Sequence, residues 1–172
     1  ENKRRRGRNS RKAKTEKHVA SPEKWAERSE PSDKILILAC GALSKEISTL
    51  IRLNGWTHLK ARYLPAILHN TPEKIADELR INLQAAQTKF SRIFIGYADC
   101  GSKGKIDSLL KEFGVERLPG AHCYEFFSGK QSFAEMMEDE PGSFFLTDFL
   151  VEAFDKLVWQ GMKIDRYPEL LE

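Results

Sequence analysis

The sequence predicts an α/β protein, a three-layer, mostly parallel sheet with helices on both faces, Rossmann-like and doubly wound in kind. Three observations carry this. Short and nearly continuous apolar runs, at 35–39 and 92–98, suit strands covered on both faces. Stretches of helical periodicity alternate with them. Gly or Pro punctuates almost every junction, and strand–helix alternation implies right-handed crossovers between parallel neighbours.

The elements follow in order. Ile35-Leu36-Ile37-Leu38-Ala39 is the first strand, ended by Cys40-Gly41. Leu43, Ile47, Leu50 and Ile51 recur at helical spacing, with Asn54-Gly55 as the stop. Thr57–Leu64 reads as the second strand, closed by Pro65. Thr71-Pro72-Glu73 then supplies an N-cap, a first-turn proline and an early acid for a helix running to about Lys89. Arg92–Ala98 is the third strand, ending at Asp99-Cys100-Gly101, and a helix spans about Lys105–Phe113 before Gly114. Val115–Leu118 is a short fourth strand. Tyr124–Met137 and Leu146–Met162 read as two further helices separated by Glu140-Pro141-Gly142, in which Phe144, Phe145, Phe149, Phe154 and Trp159 are packing residues.

Composition sets the class. The chain has 172 residues, 28 Lys+Arg against 25 Asp+Glu and 41% apolar side chains, enough for one globular domain. The charge is unevenly placed: residues 1–34 carry 12 Lys/Arg and 6 Asp/Glu, leaving 16 basic against 19 acidic positions in the rest. We therefore expect a basic, disordered tail over 1–34 and a single α/β domain over 35–172. Nucleic acid is a partner only through that tail. The absence of a long apolar run argues against a membrane partner and for a cytoplasmic protein. Glu1 in place of Met, and a new helix starting at Pro168, indicate a fragment whose domain lacks its C-terminal part.

Three cysteines are too few, and odd in number, for a secreted disulfide framework. Their placement is more informative, because Cys40, Cys100 and Cys123 each follow a predicted strand at its carboxyl end. In a doubly wound sheet those ends share one edge, where ligands bind at the reversal of strand order. For the order 2-1-3-4, Cys40 and Cys100 flank that reversal. His122 beside Cys123 extends the set of soft and borderline donors, and Gly41 and Gly101 allow backbone N–H groups to approach a cofactor.

The expected metal ligands are therefore Cys40, Cys100, His122 and Cys123. Gly41 and Gly101 are the cofactor-binding glycines, and Asp99 is the candidate catalytic acid or base. His69 belongs to the same edge. The cofactor is zinc or an iron–sulfur cluster: zinc held by three Cys and His122 would be closed and structural, whereas a cube on three Cys leaves one iron open. No Gly-x-Gly-x-x-Gly, Walker A or Gly-x-Ser-x-Gly pattern is present, and Gly101-Ser102-Lys103-Gly104-Lys105 is only the nearest approach to a phosphate loop.

The segments Ile37–Leu43, Leu64–Asn70, Tyr97–Gly101, Pro119-Gly120 with His122–Glu125, and Leu146–Phe149 together resemble a prokaryotic family known as domain of unknown function 1638, over about residues 35–172. That resemblance implies no reaction. It implies an association with corrinoid-dependent methyl-transfer systems, and shared positions at Cys40, Cys100, His122 and Cys123, with His69 and Asp99 as lesser ones. The expected function is thus a metal or iron–sulfur site acting on a small-molecule substrate or with a methyl-carrier protein. The alternatives are a metal-free small-molecule-binding module and tail-mediated nucleic-acid binding.

Overall fold

The computed structural model describes residues 32–171. The expected basic tail thus lies outside the described residues, except for its last three positions, which join the first strand. Four parallel strands build the sheet: β1 (Ser32–Cys40), β2 (Leu59–Leu64), β3 (Phe90–Gly96) and β4 (Glu116–Arg117). Their order is β2-β1-β3-β4, with β1 parallel to both β2 and β3 and β3 parallel to β4. The fold is the three-layer α/β class that the sequence predicts, and the strand order reverses between β1 and β3.

Strand burial follows the apolar runs. Leu36, Leu38 and Ala39 of β1 and Ile95 of β3 are buried, as expected where helices cover the sheet. Between the strands run α1 (Ser44–Leu53), α2 (Ile75–Gln87) and α3 (Lys105–Phe113). Ile75, Leu79, Leu83 and Ala86 recur along one face of α2 and join Ile106, Leu109 and Leu110 of α3 in the core. Gly114 ends α3 in the left-handed conformation at φ 62°.

Several local expectations need correction. Thr71 makes no side-chain cap; Pro72–Lys74 form a 3-10 turn before α2 starts. The helix expected over Tyr124–Met137 is two, α4 (Glu125–Ser128) and α5 (Lys130–Asp139), broken at Gly129 with φ 82°. That expected over Leu146–Met162 is also divided, into α6 (Asp148–Glu152) and a π-helical turn at Asp155–Trp159. In this region Leu150, Leu157, Val158 and Ile164 are the buried packing residues, while Phe144 and Trp159 stay exposed. Among the described residues, no helix is long and apolar enough to cross a membrane.

Candidate functional site

The site begins with how two loops are joined beyond the sheet. Strands about 4.8 Å apart would leave sulfurs on successive strand ends well separated. The chain avoids this by continuing the pairing past the strands: the Asp99 N–H donates to the Gly120 carbonyl at 3.0 Å, and the Cys100 N–H to the Ala121 carbonyl at 2.8 Å. This seam draws the loop after β3 against the loop after β4. The Cys100 and Cys123 Sγ atoms consequently lie 3.0 Å apart.

Each loop is held by a carboxylate. Cys100, Gly101, Lys103 and Gly104 all have positive φ, at 49°, 80°, 56° and 78°. Their turn wraps around Asp99, which accepts hydrogen bonds from Ser102 Oγ (2.7 Å), the Gly104 N–H (2.9 Å) and the Lys103 N–H (3.2 Å). Partial burial opposes ionisation of Asp99, but these donors and the nearby Arg117 outweigh it and hold the carboxyl below its usual range. The segment resembling a phosphate loop is thus already filled, with the chain's own carboxylate in the anion's place. On the other side, Glu125 accepts from the Ala121 N–H (2.6 Å) and the His122 N–H (3.3 Å). Arg117 ties both sides through a two-pronged pair with Asp107 and bonds to the Leu118 and Gly120 carbonyls.

A cavity of about 290 Å³ opens beside this seam. Cys40, Cys100 and Cys123 all line it, with His69, Tyr97, His122 and Tyr124. Its remaining walls are mainly apolar, including Leu43 and Ile75 from the sheet side and Leu150 and Leu157 from the C-terminal helices. Three of the expected metal ligands therefore bring their sulfurs to one cavity. His122 and His69 are exposed where they line it, and the Tyr124 ring lies 6.4 Å from the first and 6.3 Å from the second.

The sulfurs differ in character. Cys40 is buried, and desolvation pushes its thiol up to about 11, despite help from the Ala42 backbone amide. Cys100 is the more acidic of the close pair, because the Cys123 side chain and the amides of Cys123 and Ala98 stabilise its thiolate. The same contact raises Cys123, which keeps its proton. The pair thus titrates as a unit, with Cys100 ionising before Cys123. Burial lowers His69, assisted by the proximity of His122, so its imidazole is held neutral.

Tyr97, which opens the segment Tyr97–Gly101, lines the same cavity. It is 1% exposed, its hydroxyl makes no hydrogen bond of good geometry among the described residues, and it lies close to all three sulfurs, with Cys40 its nearest acceptor. A neutral thiol is a weak acceptor for such a phenol, whereas a thiolate is a strong one. This hydroxyl therefore suits a site whose sulfurs become anionic, as metal ligation requires. The donors only partly converge, however: among the described residues, no three His, Cys, Asp or Glu side chains form a ready metal-holding group.

The other expected residues are placed differently. Asp99 does not line the cavity, and both its oxygens are engaged in the turn. Gly41 is also absent from the wall; it lets the chain pass β2, since a Cβ there would lie 2.7 Å from the Leu64 carbonyl oxygen. Gly101 does line the cavity. Thr147, Leu150 and Leu157 were not foreseen as lining residues. Thr147 lies in the family-resembling segment Leu146–Phe149, and its Oγ1 accepts from the Leu150 N–H at 3.4 Å, capping α6.

Residues 63–172 match the family model described as a protein of unknown function, DUF1638. The chain belongs to this family. The DUF1638 match contains His69, Asp99, Cys100, Gly101, His122 and Cys123, while Cys40 and Gly41 precede it. No curated protein and no solved structure matches the chain.

Proposed function

We propose that this DUF1638 chain holds a thiophilic metal ion through Cys100, Cys123 and Cys40 and presents it to a small molecule in the adjoining cavity. One observation carries the reading: three sulfurs from three separate strand ends share a single cavity, two of them 3.0 Å apart. Sulfurs on one tetrahedral ion with bonds of about 2.3 Å lie roughly 3.8 Å apart. The close pair needs only a small opening to reach that spacing, which favours a single ion such as zinc over a cluster that spreads its ligands. Cys40, on the wall of the same cavity, would be the third ligand.

A bound ion supplies Lewis-acid polarisation and keeps its thiolate ligands ionised. The chain does the rest. The Tyr97 hydroxyl donates to the ionised Cys40 sulfur, the apolar wall excludes water, and neutral His69 lining the cavity accepts a proton from the bound molecule. A volume of about 290 Å³ holds a compact molecule and not a corrinoid macrocycle. In corrinoid-linked methyl transfer, the site would therefore take the small methyl donor or acceptor.

Elemental analysis and absorption spectra of anaerobically purified protein test the reading. We expect one metal ion per chain and at least a tenfold loss in Cys100→Ser. Metal at background in the unaltered chain overturns it. A second reading, a metal-free binding module on the same cavity, is favoured by the incomplete convergence of donors; it gains from that result.

A further inference from the structure

We propose that Cys100 and Cys123 form a thiol–disulfide exchange pair that reacts with small, uncharged organic disulfides and closes to an internal disulfide. The inference stands on geometry independent of any metal. The two sulfurs are 3.0 Å apart, both residues are half-buried, and both line the open cavity. A disulfide bond is about 2.04 Å long, so closure needs an approach of roughly 1 Å. The hydrogen-bonded seam already fixes the two backbone segments side by side, so side-chain rotation supplies that approach. Cys40 is 6% exposed and packed in the core, which leaves Cys123 as the resolving partner of Cys100.

The exchange balances in two steps. Cys100 sulfur attacks one sulfur of R–S–S–R, forming a protein–S–S–R mixed disulfide and expelling one thiolate, which takes the proton Cys100 gave up. Cys123 then attacks the Cys100 sulfur, expels the second thiolate and gives it the Cys123 proton. Two protein thiols are oxidised to one disulfide, and one organic disulfide is reduced to two thiols.

The cavity selects the co-reactant. None of the described residues lining it is Lys, Arg, Asp or Glu. A carboxylate-bearing disulfide would lose hydration there without gaining a fixed counter-charge, whereas a neutral one loses little. Closure also removes two of the sulfurs that the metal reading requires, so ion binding and the disulfide exclude one another on the same chain.

The test uses the 172-residue chain, reduced, treated with chelator and exposed to 2-hydroxyethyl disulfide. Intact mass should fall by two hydrogens, two equivalents of 2-mercaptoethanol should appear, and peptide mapping should join Cys100 to Cys123 with Cys40 still free. The reaction should be at least tenfold faster than with oxidised glutathione. Cys123→Ser should stop at the mixed disulfide and release one equivalent. No reaction, a persistent adduct on the unaltered chain, a link through Cys40, or equal rates with oxidised glutathione overturns the proposal. Metal content is read separately on untreated protein: exchange without metal sinks only the metal reading, and metal without exchange sinks only this one.

Discussion

Replacing Asp99 by Asn separates the turn's electrostatics from its shape. The amide keeps an oxygen for Ser102 Oγ and the Gly104 N–H, but its NH₂ group faces the Lys103 N–H that now donates at 3.2 Å. One charge-assisted bond is lost, and the other two weaken. With Lys103 open to water, the cost should be about 1–2 kcal/mol. Because folding depresses the Asp99 carboxyl, its contribution is present above the unfolded-state value and is lost as pH falls through the folded one. Urea unfolding of both chains at pH 7 and at successively lower pH, through and below the ordinary carboxylate range, should therefore show a gap at neutral pH that narrows and closes in acid. A gap of equal size at every pH would refute the argument that the charge of Asp99, rather than its shape, holds the turn. No gap at pH 7 would refute the turn's dependence on Asp99 altogether.

Tyr97→Phe removes a buried hydroxyl that makes no hydrogen bond of good geometry among the described residues, so the metal-free chain should be at least as stable in urea as the unaltered one, while metal affinity in a competitive chelator titration falls about tenfold, as for other groups that orient a ligand. Gly41→Ala would drive a Cβ to 2.7 Å from the Leu64 carbonyl oxygen. It should cost about 1–3 kcal/mol, as overpacking does, and lower the unfolding midpoint. Leu38→Ala empties a fully buried position on β1 and should cost about 2–5 kcal/mol in the same measurement.

The sheet was legible because its two central strands carry nearly continuous apolar runs and its turns are marked by Gly and Pro. Those signals are local; the order 2-1-3-4 is the common one for a doubly wound sheet, and the structure has it. The C-terminal third was harder, since Phe144, Phe149 and Trp159 have helical spacing but no single helix carries them; Gly129 and the π-helical turn break the periodicity. At the site, the edge that gathers the cysteines was readable from strand ends alone. What the sequence hid was the distance between them. Strand spacing implies wide separation of Cys100 and Cys123, and only the bonds from Asp99 and Cys100 to Gly120 and Ala121 bring them into contact.

That seam explains why most of the surrounding charge serves structure. Asp99 and Glu125 each neutralise N–H groups that a tight loop would leave unpaired, and Arg117 spans from Asp107 to the Gly120 carbonyl, the same carbonyl that accepts from Asp99. The carboxylates thus face away from the cavity, and the wall keeps its thiols, phenols and imidazoles in apolar surroundings. Such a wall raises the cost of any unpaired charge. A sulfur that gives up its proton is stable there only on a metal ion, beside a thiol that donates to it, or in a new covalent bond that removes its charge, and the 3.0 Å pair is compatible with all three.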